Sequence, residues 1–205
     1  MRVSMEMGQK KVILAFFDLD GTLTKCDTFS PYCIIALLHR PWRILGVRQI
    51  LKAFVGFLQK ETGRRELKEA FIGTFLGCLT RPELEKLNKF FFGFVLPLIT
   101  RKRILRRLRQ HQHMGHLVYI VSASLSAYLV PLSKRWKLDG VICTNLEWKN
   151  GRLTGRILGE NCRGKEKARR VRVLFTDEEL EGSFGYGNSE GDRELLELVS
   201  FSYRV

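Results

Sequence analysis

The chain has 205 residues, of which 45% are hydrophobic and 11% aromatic, so it is long and apolar enough for a globular domain with a sizeable insertion and is not a disordered chain. Its five cysteines contain no C-x-x-C pair, which argues against a zinc site or a disulfide framework and favours a reducing compartment. The formal net charge of +14 attracts polyanions, although solvated surface charge explains it equally well.

The beginning of the chain predicts a buried strand. The first eleven residues carry charges without an apolar core, so we expect no signal peptide there. Residues 11–20 form a short apolar run that ends in two acids and is followed by Gly21 and Thr22. A run of this length and composition predicts a strand that stops at a loop.

The next part of the chain, residues 26–112, is predicted to be entirely helical. Thr80 is expected to cap a helix, because Pro82 suits the first helical turn. Within this part, the spacing of Leu51, Phe54, Val55 and Leu58 places four apolar side chains on one helix face. Helices are predicted over residues 44–58, 66–76, 82–94 and 99–109.

Strands return after residue 112 and alternate with helices. Asn150-Gly151 predicts a hairpin turn, because both residues tolerate a positive φ. Strands are predicted over residues 116–121, 141–143, 183–186 and 201–205, and helices over 125–136, 164–174 and up to 198. The alternation indicates an α/β fold with a mainly parallel sheet and helices on both faces. Residues 26–112 are then a helical cap inserted after the first strand, and residues 1–25 and 113–205 form the core domain.

Polar residues follow several predicted strands at their carboxyl ends, where parallel sheets bind ligands. They are Asp18, Asp20, Ser122, Asn188 and Asp192. Alternation along a strand places the carboxylates of Asp18 and Asp20 on the same side. Two buried like charges need a compensating cation, and Mg²⁺ prefers oxygen ligands. The pattern therefore predicts a magnesium site.

Four segments resemble the motifs of the haloacid dehalogenase superfamily of phosphohydrolases. They are FFDLDGTLT, Ser122 after an apolar strand, the run from Cys162 to Lys167, and the loop from Gly187 to Asp192. The helical cap fits subfamily IB, the phosphoserine phosphatase-like branch. The pieces TKCDTF, NGRLTGRI and NCRGKEK look like the group that includes phosphatidylglycerophosphatase C. The resemblance implies a three-layer Rossmann-like sheet with a cap, and a phosphoric monoester hydrolase.

The resemblance also implies roles for these residues in phosphoryl transfer. Asp18 is expected to be the nucleophile that forms an aspartyl-phosphate, and Asp20 the general acid and base. Ser122 and Ala123 are expected to bind phosphoryl oxygens, together with a lysine. The Mg²⁺ ligands implied are Asp18, Asp20 through its carbonyl, Asn188 and Asp192.

Two positions leave alternatives open. The family spacing favours Lys167 over Lys165 as the lysine that neutralises the phosphoryl group. Asn188 stands where the fourth motif normally begins with Asp, so the metal site has one negative charge less. With one charge less, we expect weaker or retuned metal binding. The alternative is a catalytically weak protein that binds phosphorylated ligands.

The expected substrate is a phosphomonoester, either a phospholipid head group such as phosphatidylglycerophosphate or a small soluble metabolite such as phosphoserine. A basic cap suits an anionic membrane, so peripheral contact with the inner face of the membrane is expected for an otherwise cytoplasmic protein. A nucleic-acid partner is not expected, because no recognisable binding motif is present.

Overall fold

The central strand, Leu14–Phe17 (β1), consists of four consecutive buried apolar residues. It pairs in parallel with strands on both sides, and its side chains alternate between two hydrophobic clusters. Ala15 and Phe17 pack with helices on one face of the sheet, whereas Leu14 and Phe16 pack on the other. This alternation produces the three layers that the sequence predicts.

A computed structural model describes residues 12–61 and 63–205. The expectation that residues 1–11 are not a signal peptide lies outside the described residues. After β1 the helices are α1 (Phe29–His39), α2 (Val47–Leu58), α3 (Arg64–Phe75), α4 (Arg81–Phe90), α5 (Leu96–Ile99) and α6 (Lys102–His113). The remaining elements are β2 (Leu117–Leu125), α7 (Ser126–Trp136), β3 (Gly140–Lys149), β4 (Arg152–Leu158), α8 (Lys165–Leu174), α9 (Asp177–Leu180), β5 (Phe184–Gly187), α10 (Arg193–Leu196) and β6 (Phe201–Arg204).

Within the described residues the sheet has six strands in the order β4-β3-β2-β1-β5-β6. All neighbours are parallel except β3 and β4, which form the predicted antiparallel hairpin around Asn150 and Gly151, both at positive φ. The α/β fold class is confirmed. Among the residues that the structure describes, no helix combines the length and the apolar character needed to cross a bilayer.

The helices between β1 and β2 contact the sheet at different places: α6 packs against β1 and β2, whereas α3 packs against β4. Helix α3 lies against β4, where Gly73 and Gly155 allow the two backbones to approach each other. A Cβ atom at Gly155 would lie 2.5 Å from the Cα atom of Gly73, so larger side chains would separate the helix from the strand. The start of α4 agrees with the sequence, since Thr80 and Glu83 form a capping box.

One local expectation needs correction, and two further features of this region were not expected. The first strand ends at Phe17, so a turn over Leu19–Leu23, and not strand alternation, brings the two acids near each other. His111 of the basic helix α6 is 2% exposed, because its ring packs against Phe17 of β1 and Phe184 of β5. The aromatic run at the end of α4 is divided: Phe91 is buried, whereas Phe94 is exposed.

Candidate active site

The carboxyl ends of three neighbouring strands, β2, β1 and β5, bring the polar motifs together. Asp18 follows β1, and its backbone N–H donates to the carbonyl oxygen of Tyr186 in β5 at 2.8 Å. On the other side of β1, Phe17 is in register with Ile120, two residues before Ser122. Asp18, Ser122 and Asp192 line one cavity of about 400 Å³ together with Asp20, Lys167 and Asn188.

Lys167 joins two of the acidic residues. Its Nζ lies 2.7 Å from Oδ1 of Asp18 and 2.5 Å from Oδ1 of Asp192. Each of the three side chains is nearly or fully buried, with at most 5% of the residue exposed. The first turn of α8 positions Lys167, whereas its alternative Lys165 is exposed at the same helix end. One buried ammonium therefore faces two buried carboxylates.

This arrangement shifts the ionisation of all three groups. Burial raises the pKa of Asp18 from 3.8 to about 6, even though Lys167 opposes the shift. Burial also disfavours the ammonium of Lys167, but the two carboxylates outweigh that effect and raise its pKa. The pKa of Asp192 is lowered, because the contacts with Lys167 and Ser189 outweigh its burial.

Asp20 has a separate set of partners. Its Oδ1 accepts hydrogen bonds from the backbone N–H of Thr28 at 2.8 Å and from the Thr28 hydroxyl at 2.7 Å. Its Oδ2 accepts a hydrogen bond from the Ser124 hydroxyl at 2.5 Å. Burial raises the pKa of Asp20, although these hydrogen bonds oppose the shift. Asp20 is thus a fixed carboxyl group that holds a proton more readily than an exposed aspartate.

Ser122 and Ala123 lie near the carboxyl end of β2. Ser122 is buried, and its Oγ accepts a hydrogen bond from the backbone N–H of Ser124 at 3.1 Å. The carbonyl oxygen of Ala123 accepts a hydrogen bond from the Thr144 hydroxyl at 2.7 Å. Both residues line the cavity.

The fourth motif is ordered around Asp192. Its Oδ2 accepts hydrogen bonds from the backbone N–H of Ser189 at 2.9 Å and from the Ser189 hydroxyl at 2.8 Å. The side chain of Asn188 lies directly against Gly21, where a Cβ atom would be 2.1 Å from the Asn188 Nδ2. Gly21 also has a φ of 79°, so glycine is required there for two reasons.

Sequence reasoning missed a group of cavity residues from the cap and from the loop before α8. Lys68 of α3 donates from its Nζ to the Ala123 carbonyl at 2.6 Å and to Oδ1 of Asn161 at 2.8 Å. Burial lowers the pKa of Lys68 from 10.5 to about 8. Arg64, one turn earlier on α3, and Arg163 also line the cavity. The i, i+4 spacing of Arg64 and Lys68 places both cations on one helix face, which could have indicated an anion-binding surface. In a chain with 35 Lys and Arg, however, such a pair does not stand out.

The donor set is suited to a hard cation. In the described part of the chain, no cluster of three or more His, Cys, Asp or Glu side chains forms a metal site. The cavity is nevertheless lined by four aspartates, Asp18, Asp20, Asp27 and Asp192, and by the amide of Asn188, all of which carry oxygen donors. Mg²⁺ is commonly held by one or two carboxylates plus waters and substrate, so these residues fit it.

Known proteins resemble this chain in sequence as well as in fold. The family model for haloacid dehalogenase-like hydrolases matches residues 15–197. The chain belongs to that family. This haloacid dehalogenase-like hydrolase is 30% identical to Protein CicA of Caulobacter vibrioides over 202 residues, which are 98% of this chain and 89% of that protein. It is 34% identical to a phosphoserine phosphatase of Archaeoglobus fulgidus over 192 residues, which are 92% of this chain and 50% of that protein.

Solved structures share the fold of this hydrolase. A Bordetella pertussis protein of unknown function has a TM-score of 0.77 and 25% identity, with 95% of this chain and 90% of that one covered. A phospho-aspartyl intermediate analogue of phosphoserine phosphatase has a TM-score of 0.64 and 19% identity, with 95% and 87% covered, which shows the shared fold. The protein is a phosphoserine phosphatase-like phosphatase of the haloacid dehalogenase-like family.

Proposed function

We propose that this phosphatase hydrolyses a phosphomonoester through an aspartyl-phosphate formed on Asp18. The observation that carries the proposal is the contact of Lys167 with both Asp18 and Asp192 inside the cavity. The ammonium holds Asp18 in one orientation and offers positive charge where phosphoryl oxygens would approach. An attack by Asp18 on phosphorus forms an acyl phosphate and releases an alcohol, and water then cleaves the acyl phosphate.

Asp20 is suited to move the protons of both steps. Its raised pKa favours a protonated carboxyl group, which donates a proton to the departing alkoxide oxygen. The resulting carboxylate then removes a proton from the attacking water. Thr28 and Ser124 keep the group in place between the two steps, because both donate hydrogen bonds to it.

Ser122, Ala123 and Lys167 are proposed to bind the transferring phosphoryl group. Asp18, Asp192, Asn188 and the backbone carbonyl of Asp20 are proposed to hold Mg²⁺. When bound, the ion supplies positive charge that offsets the surplus of carboxylates and the charge of the phosphoryl group. Asn188 contributes an oxygen without charge, so the ion is held with less electrostatic attraction than at a site with a third carboxylate. The division into a core (1–25 and 113–205) and a cap (26–112) stays a prediction.

The cations that line the cavity in addition to Lys167 support a substrate with a second negative group. Arg64, Lys68 and Arg163 line the cavity in addition to Lys167. A phospholipid head group such as phosphatidylglycerophosphate has a phosphodiester near its phosphomonoester, and we favour a substrate of this class. Phosphoserine, with a carboxylate as its second anion, is the alternative, and the Archaeoglobus phosphoserine phosphatase supports it.

Phosphate release from a panel of phosphomonoesters tests this proposal. The panel includes phosphatidylglycerophosphate in mixed micelles, phosphoserine and para-nitrophenyl phosphate, each assayed with Mg²⁺ and with EDTA. We expect turnover that disappears in EDTA and in Asp18→Asn, with phosphatidylglycerophosphate preferred. Turnover that persists in Asp18→Asn would contradict the proposed nucleophile. Tight binding of phosphorylated ligands without any turnover would instead support a binding protein.

A further inference from the structure

Helix α2 exposes an apolar stripe to solvent. Leu51, Phe54, Val55 and Leu58 are spaced i, i+3, i+4 and i+7, so they share one face, and each is at least 46% exposed. The opposite part of the helix packs into the cap through Ile50. A folded cap thus does not bury the apolar residues that make this helix amphipathic.

The turn immediately before α2 extends the exposed apolar character. Trp42 and Leu45 lie in a short 3₁₀ segment, Pro41–Gly46, and are 63% and 79% exposed. Tryptophan favours the interface between water and lipid, because its ring is apolar while its N–H needs a polar partner. We call the four residues of the stripe together with Trp42 and Leu45 the cap docking surface.

The charge around this surface has one sign. From Thr28 to Lys60 the sequence contains no Asp or Glu, whereas it contains five Lys and Arg residues. Arg48 and Lys52 are exposed on α2, next to the stripe on the helical wheel. Such a helix, with Phe and Leu on one face and Lys and Arg beside it, is typical of a segment that lies in an anionic membrane interface.

The same charge disfavours other occupants. A second copy of the chain would bring an equally basic surface against this one, and like charges oppose that contact. A nucleic acid would meet the basic residues but would leave the large apolar side chains exposed to water. An anionic bilayer satisfies both features, because its head groups attract the cations and its acyl chains accept the apolar side chains.

In sequence, the docking surface ends a few residues before a residue that lines the cavity. Helix α2 ends at Leu58, and α3 begins at Arg64, which lines the cavity. Six residue steps span at most about 20 Å, which limits the distance between the Cα atoms of Leu58 and Arg64. A head group in the bilayer under the stripe is therefore within reach of the cavity mouth.

We propose that the cap docking surface holds the enzyme on an anionic phospholipid bilayer, with α2 lying in the interface. This inference rests on the proposed function for its consequence, which is access to a phosphorylated head group. Binding to the membrane itself does not need turnover, so the two can be tested separately.

Co-sedimentation of the full chain with vesicles tests the docking surface. The vesicles are phosphatidylcholine alone and phosphatidylcholine mixed with phosphatidylglycerol, at low and at high salt. We expect binding only to the mixed vesicles, weakened by salt. The double variant Leu51→Gln/Leu58→Gln should bind at least roughly tenfold more weakly, and Arg48→Gln/Lys52→Gln should lose about fivefold per charge.

Two double variants elsewhere on the surface are matched controls. Val173→Gln/Leu174→Gln replaces two exposed apolar residues of α8, and Lys134→Gln/Arg135→Gln removes two exposed charges from α7. Both should bind vesicles like the wild type. Hydrolysis of para-nitrophenyl phosphate should be unchanged in all four variants, which verifies that each remains folded and active.

Three outcomes overturn the docking surface. They are no binding of the wild type to the mixed vesicles at low salt, equal losses in the stripe and control variants, and a dimer in sedimentation equilibrium that Leu51→Gln/Leu58→Gln dissociates. If vesicles bind as expected but no phosphomonoester is hydrolysed, the docking surface is supported and the proposed function is contradicted. If turnover is normal without vesicle binding, the reverse holds.

Discussion

Lys68 of the cap places its ammonium nitrogen 2.6 Å from the carbonyl oxygen of Ala123, the residue that follows Ser122 in the core. This contact joins the inserted helices directly to the end of β2, which is proposed to bind phosphate. Asn161, which precedes α8, accepts the second hydrogen bond of the same ammonium at 2.8 Å. Lys68 therefore connects three segments of the chain at the edge of the cavity.

Replacement of Lys68 by Met should weaken substrate binding more than it slows the chemical step. A hydrogen bond to a charged group contributes about 1.5–3 kcal/mol, so kcat/KM should fall roughly tenfold to hundredfold, mainly through KM. Steady-state kinetics on the preferred phosphomonoester measures this. Lys89→Met, an exposed lysine of α4, is the control and should behave like the wild type. An unchanged KM in Lys68→Met would contradict a substrate contact.

The same lysine predicts a pH dependence. Burial lowers the pKa of Lys68 to about 8, so the ammonium is lost as the pH rises through that value. In the wild type, kcat/KM should decline above pH 8. In Lys68→Arg, whose guanidinium stays charged, the decline should disappear. Profiles of kcat/KM between pH 6 and 9.5 for both proteins make the comparison, and identical profiles would rule out Lys68 as the titrating group.

Lys167→Met should remove both activity and stability. The variant leaves Asp18 and Asp192 buried without their cation, which costs about 3–5 kcal/mol of unfolding free energy. Turnover should fall at least roughly 100- to 1,000-fold. Lys165→Met is the matched control, because Lys165 is two residues away and exposed. Urea unfolding in EDTA and phosphate release measure the two effects. Equal behaviour of the two variants would contradict the assignment of Lys167.

Asn188→Asp should strengthen metal binding. The added carboxylate faces the cavity that Asp18 and Asp192 share, so it increases the attraction for Mg²⁺ and, without the ion, the repulsion among the acids. Half-maximal activity should need about tenfold less Mg²⁺, and the thermal midpoint in EDTA should decrease. Glu190→Gln, an exposed change in the same loop, is the control. An unaltered Mg²⁺ requirement would place Asn188 outside the metal site.

His111 should make the fold sensitive to acid. Burial lowers its pKa from 6.5 to about 4, with smaller contributions from His116 and Arg107. Between pH 6.5 and 4 the unfolded chain binds the proton and the folded chain does not, so stability falls as the pH decreases. The loss should be roughly 2 kcal/mol.

Urea unfolding at pH 7 and pH 4.5 isolates this effect when the wild type is compared with His111→Gln. The variant lacks the titrating ring, so its stability should decrease by about 2 kcal/mol less over the same interval. Carboxylates such as Asp18 titrate in both proteins and cancel in the difference. Equal losses in the two proteins would contradict a buried neutral His111.

Much of the fold could be predicted from local patterns. The buried strand before Asp18, the hairpin at Asn150-Gly151 and the cap of α4 at Thr80 each depend on neighbouring residues, and each appears in the structure. Strand ends also indicated which polar residues share the cavity. The end of β1 was misplaced, because the acidic residues and Gly21 form a turn whose start has no distinct local signal.

The hydrogen-bond partners of Asp20 and the place of Lys68 in the cavity could not be predicted from local patterns. Thr28 and Ser124 meet Asp20 only because the first turn of the cap packs against the end of β2, 96 residues further along the chain. His111 reads as a surface residue in a basic helix, and only the packing of α6 under β5 buries it. Tertiary contacts of this kind have no signature in a single sequence.

The bridge made by Lys167 has a consequence for how the protein folds. Asp18 and Lys167 are 149 positions apart in the chain, and Lys167 and Asp192 are 25 positions apart. A partly folded chain with the central strand formed but α8 undocked would contain acidic groups without their counterion. Closing so long a loop is slow, so this contact is expected to form late. Catalytic competence and the last increment of stability should therefore appear in the same folding step.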